Sequence, residues 1–416
     1  CWACRSLDRR GQDRRGQDRR GQGQRGQGMT AGNMFGSRSR QSLGQKLWLV
    51  PWTVVLLVAL VAAAGTATLY SVAGGSLEPW ASRHAARFLL GLGVALAIAL
   101  VPLDVWLRLA YPAYALALAL LLVVPLAGIE VLGARRWLGI GSFTLQPAEF
   151  MKVALVAALA RYYQWLPWSR VSRPLWVALP LMMIAVPVVL TLKQPDLGTA
   201  TLFAGVGLGL MMLAGVSALY ALCGGVAAIA LAPIVWSSLH AYQRRRIEIF
   251  LDPDKDPLGA GYHIAQSKIA LGSGGLSGRG YIQGTQSQLD FVPEKHTDFI
   301  FTMFAEEWGF VGAVALIAVF AFLVSMLLGM ARRCDSIFGR LLIAGFGLSM
   351  FVYAFVNTAM VTGLVPVVGV PLPLFSYGGT ALTTMMAGLG LAMSAHVHAR
   401  DHLPSQPPSP RWWRAD

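Results

Sequence analysis

The sequence predicts an all-α polytopic membrane protein with about ten transmembrane helices. Hydrophobic residues make up 55% of the 416 residues and charged residues only 13%. A soluble domain of this length needs more charge on its surface, whereas apolar windows of about 20 residues are typical of bilayer-spanning helices. Ten such windows occur, at 48–72, 85–103, 106–126, 147–163, 175–192, 197–213, 219–239, 299–330, 338–361 and 375–395.

Two of these windows depart from a simple span. The eighth, 299–330, is too long for one straight helix, so its start is expected to lie at the membrane interface or to bend. The stretch before the last window contains Pro366, Pro371 and Pro373, which do not fit into one regular helix. Backbone of this kind at membrane depth must be buried in protein or line a wet cavity.

The distribution of basic residues predicts the orientation. Arg and Lys residues precede the first window and follow the fourth and eighth, so the positive-inside rule places both termini in the cytoplasm. The 240–297 connection is then extracytoplasmic. It nevertheless carries seven basic residues: Arg244, Arg245, Arg246, Lys255, Lys268, Arg279 and Lys295. An anionic extracytoplasmic ligand would explain them, and a loop of this length is expected to be functional.

The strongly basic balance does not indicate nucleic-acid binding. The net charge is +14, but residues 1–46 alone hold 11 Lys or Arg and 3 Asp. This arm repeats Asp-Arg-Arg-Gly-Gln and is expected to be disordered, either a basic cytoplasmic arm or an artefact, with Met29 or Met34 as candidate starts. The expected organisation is this arm, a membrane domain at 47–400 and a short cytoplasmic tail at 401–416.

The most informative stretch is GTQSQLDFVPEKHTDF at 284–299. It places Asp290, Glu294, Lys295, His296 and Asp298 against the start of an apolar window, and ionisable groups at a bilayer edge indicate a polar cavity or site. From the residues alone, two interpretations of Asp298 stay open. It could cap the eighth helix, or it could be a general base in a membrane-edge cavity.

Other polar groups allow a structural or a functional interpretation. Glu149 and Lys152 share a helix face, as an ion pair or as part of a site. Arg136 could hold a diphosphate with its planar fork, or snorkel at the interface. Asp196 or Thr199 is expected to cap the sixth helix. The remaining candidates are His263, Gln266, Ser267 and Lys268 in the long loop, and Ser376 and Tyr377 after the prolines.

The 284–299 stretch resembles the signature of the SEDS family (shape, elongation, division and sporulation proteins), RodA branch. Further motifs of the family match in order over about 47–400: RW at 136, QPAEFMK at 146, QPDLGT at 194, GYHIAQSK at 261 and LVPVVGVPLPLFSYGG at 364. The resemblance implies a glycosyltransferase that polymerises the undecaprenyl-linked precursor lipid II during elongation, with an undecaprenyl diphosphate leaving group and inversion at the anomeric carbon.

The resemblance also implies residue roles and partners. Asp298 would be the catalytic residue. The cavity for the substrate would be lined by Arg136, Glu149, Lys152, His263, Gln266, Ser267, Lys268, Ser376 and Tyr377. A divalent cation, Mg²⁺ or Mn²⁺, would stabilise leaving-group charge, although no ligand set is visible, and no organic cofactor is expected. Expected partners are membrane lipids, a class B penicillin-binding protein and the elongation complex, in the bacterial cytoplasmic (inner) membrane.

Two other functions compete with the enzyme. A flippase would move the same lipid without bond chemistry, but transporters often show repeated halves and polar sites near the midplane. Here the charges cluster at the outer edge and no repeat is visible. A non-catalytic scaffold would leave the charged edge unexplained. The sequence therefore favours the glycosyltransferase.

Overall fold

The computed structural model describes residues 42–131, 134–140, 143–238, 241–252, 256, 259–288, 294–400 and 403. The regular structure in these ranges is helical apart from one three-stranded sheet and a 3₁₀ turn at Trp168–Arg170. In chain order the elements are α1 (Leu43–Leu49), α2 (Trp52–Val72), α3 (Ala81–Leu100), α4 (Leu103–Ala127), β1 (Ile129–Val131), β2 (Ala134–Ile140), β3 (Phe143–Leu145), α5 (Pro147–Trp165), α6 (Pro174–Lys193), α7 (Leu197–Leu213), α8 (Ala218–Ser238), α9 (Ala241–Leu251), α10 (Ala260–Ser273), α11 (Thr285–Gln288), α12 (Ile300–Arg332), α13 (Ile337–Val361) and α14 (Gly379–Val397).

Seven helices in the described ranges are long and apolar enough to cross a membrane: α2, α3, α4, α6, α12, α13 and α14. Helix α7 and the Ala218–Leu231 part of α8 are apolar but shorter. The fourth predicted window forms α5, which is not among these seven helices. Most of its side chains are buried against other parts of the protein. The predicted helical membrane fold is confirmed, while the number of ten spans stays a prediction.

The sheet between α4 and α5 is a feature that the hydropathy pattern did not predict. Strands β1, β2 and β3 pair antiparallel in chain order. Because successive side chains of a strand point to opposite faces, Arg135 and Arg136 diverge. Arg135 pairs with Glu130 across the strands, at 3.6 Å and largely exposed. Arg136 is the half-buried one of the two and turns toward the protein.

Helix α12 is interrupted at Gly309, where φ is 68°. The 274–280 loop supplies the hydrogen bonds that the interruption removes from the helix: Phe310 N to Gly275 O (2.9 Å), Val311 N to Leu276 O (3.2 Å), Arg279 N to Glu306 O (3.0 Å) and Gly280 N to Glu307 O (3.1 Å). Buried backbone groups must find partners, and here a loop provides both donors and acceptors. The eighth window therefore bends, as its length predicts.

Residues 362–378 join α13 to α14 without forming a helix or a strand. The last predicted window starts too early, because its first residues belong to this proline-containing segment and α14 begins at Gly379. The segment is mostly buried in protein over 370–376, which is one of the two environments that the prolines predict, whereas Leu364 and Gly369 before it are exposed. Its most buried side chains are Val370, Leu372, Leu374 and Phe375, all at most 2% exposed.

Two glycines bring helices directly onto the backbone of the 362–378 segment. A Cβ atom at Gly65 of α2 would lie 2.5 Å from the carbonyl oxygen of Phe375. A Cβ atom at Gly198 of α7 would lie 2.4 Å from that of Val368. Small residues allow this kind of close approach in membrane proteins. The irregular segment is therefore held between regular helices.

The structure describes only part of the predicted domain organisation, whose boundaries stay a prediction. Helix α1 begins at Leu43, within the arm predicted at 1–46, and residues 1–41 lie outside the described residues. The tail at 401–416 also lies outside them, apart from Leu403. The described parts of the 240–297 connection contain α9, α10 and α11, so this connection has secondary structure of its own.

Candidate active site around Asp298

Asp298 lies at the entrance to α12 and is half-buried. The cap position of this helix is Phe299, and it has no side-chain capping hydrogen bond. Thr297, the residue just before Asp298, donates its hydroxyl to Glu294 Oε2 at 2.8 Å. The helix start therefore favours a role other than capping for the Asp298 carboxylate.

The carboxylate of Asp298 faces the 362–378 segment at Gly369. A Cβ atom at Gly369, where φ is 72°, would lie 3.4 Å from Asp298 Oδ2. Because glycine has no side chain and tolerates this left-handed backbone, the segment can pass directly beside the carboxylate. Asp290, the other predicted aspartate of this stretch, lies outside the described residues.

Aromatic rings and cations form a continuous row around His296, two residues before Asp298. His296 stacks on Trp80 with ring centroids 4.6 Å apart and an interplanar angle of 12°, and it also contacts Tyr377 at 5.9 Å. The Arg87 guanidinium lies over the Tyr377 ring at 5.0 Å, and Lys295 Nζ lies 6.0 Å from the Trp80 ring. This row places two cations and two further aromatic side chains around His296, which belongs to the same stretch as the candidate base.

Both histidines near Asp298 are held in the neutral form. Burial lowers the pKa of His296, an effect that Glu294 opposes and Lys295 reinforces. Burial also lowers the pKa of His263, with Glu294 and Asp256 opposing. Neutral imidazoles can donate or accept a hydrogen bond without adding charge. At neutral pH the positive charge of this region therefore comes from Arg and Lys.

The loop residues predicted from the GYHIAQSK motif lie on α10 and contact the elements that carry Asp298. The ring of His263 lies 6.2 Å from that of Phe299. Ser267 is fully buried, shares a 2.8 Å hydrogen bond with Thr302 and donates to Val361 O at 2.8 Å. These contacts give Ser267 a packing role. Gln266 is half-buried, and the exposed Lys268 packs its end against Gly363.

Glu149 and Lys152 form a buried ion pair inside the bundle. Lys152 Nζ lies 2.7 Å from Glu149 Oε1, with side-chain exposures of 13% and 7%. Lys152 also donates to the Tyr353 hydroxyl, and Thr384 donates to Glu149 Oε2 at 3.2 Å. The pair lines a largely apolar cavity between α5, α13 and α14. Its charges are already satisfied by protein groups.

Arg136 and Asp196 act on the same turn between α6 and α7. Arg136 donates to Gln194 O at 3.2 Å and also to Pro195 O. Asp196 caps α7 by accepting from Thr199 N at 3.1 Å and from the Thr199 hydroxyl at 2.8 Å. The predicted cap at Asp196 is confirmed. The geometry gives Arg136 backbone partners and leaves its predicted diphosphate contact without support.

The two residues predicted after the prolines have different surroundings. Ser376 is 4% exposed, and its hydroxyl accepts from Leu372 N at 2.8 Å, so it stabilises a turn within its own segment. Tyr377 is half-buried and belongs to the aromatic row, and its amide donates to His296 O at 2.9 Å. Of this pair, Tyr377 is the one that contacts the 294–299 stretch, through His296.

Several residues at the site were not predicted from sequence. Arg87, Trp80 and Asn357 lie outside the recognised motifs. Only the fold brings Arg87 to Tyr377, Trp80 to His296 and Asn357 to the Asp298 backbone. Glu306 and Glu307 are 0% and 2% exposed; Glu306 accepts from Gln286 N at 3.1 Å, and Glu307 accepts from Ser71. Two glutamates inside an apolar window are themselves a sequence signal for a buried polar cluster.

Comparison with known proteins identifies the family of this chain. The model of the FtsW/RodA/SpoVE family, described as cell cycle proteins, matches residues 45–401. The chain belongs to this family. Over 373 residues it is 41% identical to the peptidoglycan glycosyltransferase MrdB of Escherichia coli K12, which covers 88% of this chain and 98% of that protein. The probable peptidoglycan glycosyltransferase FtsW of Halorhodospira halophila is 38% identical over 85% of this chain and 90% of its own length.

Solved structures share the fold of this family member. A chain of a peptidoglycan synthase complex that coordinates polymerization and crosslinking aligns with a TM-score of 0.73 and 34% identity, over 83% of this chain and 97% of that one. The rod shape determining protein RodA of Thermus thermophilus aligns with a TM-score of 0.65 and 30% identity, over 85% and 98%. The family predicted from the sequence motifs is confirmed.

Proposed function

We propose that this chain polymerises lipid II into β-1,4 glycan strands during cell elongation, with Asp298 as the general base. Membership of the family and similarity to the E. coli enzyme make it a peptidoglycan glycosyltransferase of the RodA branch. The observation that carries the assignment of the base is the half-buried Asp298 carboxylate beside Gly369, at the entrance to α12. A carboxylate in this position can exchange a proton with a substrate that enters from the membrane edge.

The proposed reaction is a single displacement. The 4-hydroxyl of the acceptor GlcNAc attacks the anomeric carbon of the donor MurNAc while Asp298 takes the hydroxyl proton. The new C–O bond forms as the bond to the diphosphate breaks, and undecaprenyl diphosphate leaves with the electron pair. Attack from the face opposite the leaving group inverts the anomeric centre. General-base catalysis of this kind contributes about 100- to 10,000-fold.

The leaving diphosphate needs cations near the base. Arg87, half-buried over the Tyr377 ring, is well placed, and the exposed Lys268 lies at the join of α13 and the 362–378 segment. Lys295, beside Trp80, is 9% exposed and already donates to Val72 O at 3.2 Å. Arginine binds phosphate oxygens through a planar fork, so Arg87 fits this role well. Lys152 and Arg136 already bind protein groups and fit it less well.

A divalent cation remains part of the proposal as a source of leaving-group stabilisation. Among the described residues, no three His, Cys, Asp or Glu side chains converge on one point. The protein ligands visible there do not make a complete site, so no step of the reaction above depends on the metal.

The cellular setting follows from the same chemistry. The apolar helices make the chain a multi-pass membrane protein. We place it in the bacterial cytoplasmic membrane with both termini inside, because basic residues follow α5 and α12 at the predicted cytoplasmic ends. A class B penicillin-binding protein within the elongation complex is the proposed partner, and the similarity to a chain of a peptidoglycan synthase complex supports it.

Reconstitution tests this function directly. Purified protein with its transpeptidase partner is given lipid II in detergent, and the products are resolved by gel electrophoresis. We expect the wild-type protein to produce glycan strands and the Asp298→Asn variant to produce none. Translocation of lipid II across vesicles without strand formation would instead identify a flippase and overturn the proposal.

A further inference from the structure

Asn357 on α13 joins the two backbone segments that flank the candidate base. Its side-chain Nδ2 donates to Asp298 O at 2.8 Å and to Val370 O at 2.7 Å. Asn357 is fully buried, with 0% of its surface exposed. A primary amide has two N–H donors in one plane, so this single side chain fixes both carbonyls at once.

The positions of these two carbonyls make the contact specific to the site. The helical hydrogen bonds of α12 begin at Phe299 O, which accepts from Thr302 N at 3.0 Å. The carbonyl of Asp298 therefore lies just before this pattern and is fixed by Asn357 instead. Val370 directly follows Gly369, the residue whose backbone runs beside the Asp298 carboxylate. One amide thus sets the spacing between the residue that carries the base and the segment that faces it.

We propose that Asn357 is a positioning residue for the glycosyl transfer, a role that rests on Asp298 being the general base. It acts through the backbone and does not itself touch the reacting atoms. Without the amide, the 362–378 segment, which has no helix or strand of its own, loses a link to the entrance of α12. Misplacement of a catalytic group by about 1 Å can lower the rate about 100-fold.

The test compares Asn357→Leu with Gln164→Leu in the reconstituted synthase. Gln164 is a fully buried amide on α5 that accepts from Phe338 N at 2.8 Å, and it lies outside the proposed site. Both variants replace a buried amide by an apolar side chain and should lower the unfolding temperature. We expect kcat to fall about 10- to 100-fold in Asn357→Leu, with little change in KM for lipid II, and to remain near wild type in Gln164→Leu.

Asn357→Asp provides a second variant of the same shape. A protonated carboxyl group donates one hydrogen bond and an ionised one donates none, so at least one of the two carbonyls loses its partner and kcat should fall. Wild-type kcat in either folded Asn357 variant overturns the proposal, as does an equal loss of kcat in Gln164→Leu. If Asp298→Asn itself retains strand formation, the assignment of the base fails, which is a separate outcome.

Discussion

Two carboxylates of this protein, Glu149 and Asp298, occupy contrasting surroundings. Glu149 is 5% exposed and binds Lys152 and Thr384 within the bundle. Asp298 is half-buried at the entrance to α12 and faces a glycine in an irregular segment. Both belong to motifs that the family resemblance assigns to the substrate cavity. Their surroundings differ in the structure. The charge of Glu149 is paired with groups on regular helices, whereas Asp298 lies just before a helix begins.

This contrast indicates that Glu149 acts on stability and Asp298 on catalysis. A buried ion pair contributes little net stability, but losing one partner is costly because it leaves an unpaired buried charge. A half-exposed carboxylate beside neutral histidines and nearby cations can bind a substrate and exchange a proton. We therefore expect substitutions at the two places to have different effects, and the following predictions test that difference.

The largest effect is expected on catalysis at Asp298. Asp298→Asn should lower strand formation about 100- to 10,000-fold because it removes the base, with little change in the unfolding temperature. Rates from gel-resolved products and thermal unfolding in detergent measure the two quantities. Glu294→Gln, an exposed neighbour, is the control and should keep most activity. Near-normal polymerisation by Asp298→Asn would contradict the assignment.

The next effect is expected on stability at the buried pair. Lys152→Met should lower the free energy of unfolding by about 3–5 kcal/mol, since Glu149 is left unpaired. Adding Glu149→Gln should recover part of the loss. Arg108→Met breaks an exposed pair with Asp104 (3.4 Å, side-chain exposures 79% and 26%) and is the control, expected to change little. Wild-type stability of Lys152→Met with loss of activity would show that Lys152 serves the substrate.

A third, smaller effect is expected at Asp196. Asp196→Ala removes the cap of α7 and should cost about 1 kcal/mol of stability, measured by thermal unfolding. Asp196→Asn should be close to wild type, because asparagine accepts the same amide hydrogen bond. A loss of activity in Asp196→Asn at wild-type stability would show that the charge itself acts on the reaction.

The smallest effect concerns pH and His296. Burial lowers the pKa of His296 from the ordinary value of 6.5. Below about pH 6.5 the unfolded chain therefore binds a proton at His296 more readily than the folded protein does. Stability should then fall as the pH drops from neutral toward 5. His296→Gln removes this titration and should show a shallower loss of unfolding temperature over the same range. Equal slopes in the two proteins would exclude His296 as the cause.

The sequence predicts the regular parts of this fold well. Windows of apolar residues mark the long helices because lipid requires that composition wherever a helix faces it. Asp298 stands out for a similar reason, since a charge at the edge of an apolar window is costly. The cap at Asp196 is also predictable, because capping is local chemistry between a side chain and an amide three residues away.

Contacts between distant parts of the chain are not predictable in this way. Nothing near Asn357 in the sequence indicates that its amide meets Asp298, 59 residues away. Arg136 shows the same limit, because its carbonyl partners lie on a turn 58 residues later. Local patterns indicate which residue types are costly to bury, whereas the partner that satisfies each one depends on how the helices pack.

The interruption of α12 at Gly309 has a practical consequence for redesigning this protein. A Cβ atom at Gly278 would lie 2.0 Å from Glu307 O, and one at Gly309 would lie 2.3 Å from Gly278 N. Neither glycine therefore tolerates a larger residue. Substituting both glycines together does not help, because the atoms that each Cβ would meet belong to the backbone. The 274–280 loop also cannot be excised or swapped for a shorter linker, because excision would strip four backbone groups of α12 of their partners. Truncations and loop grafts intended to simplify this protein should leave residues 274–311 as one uncut block.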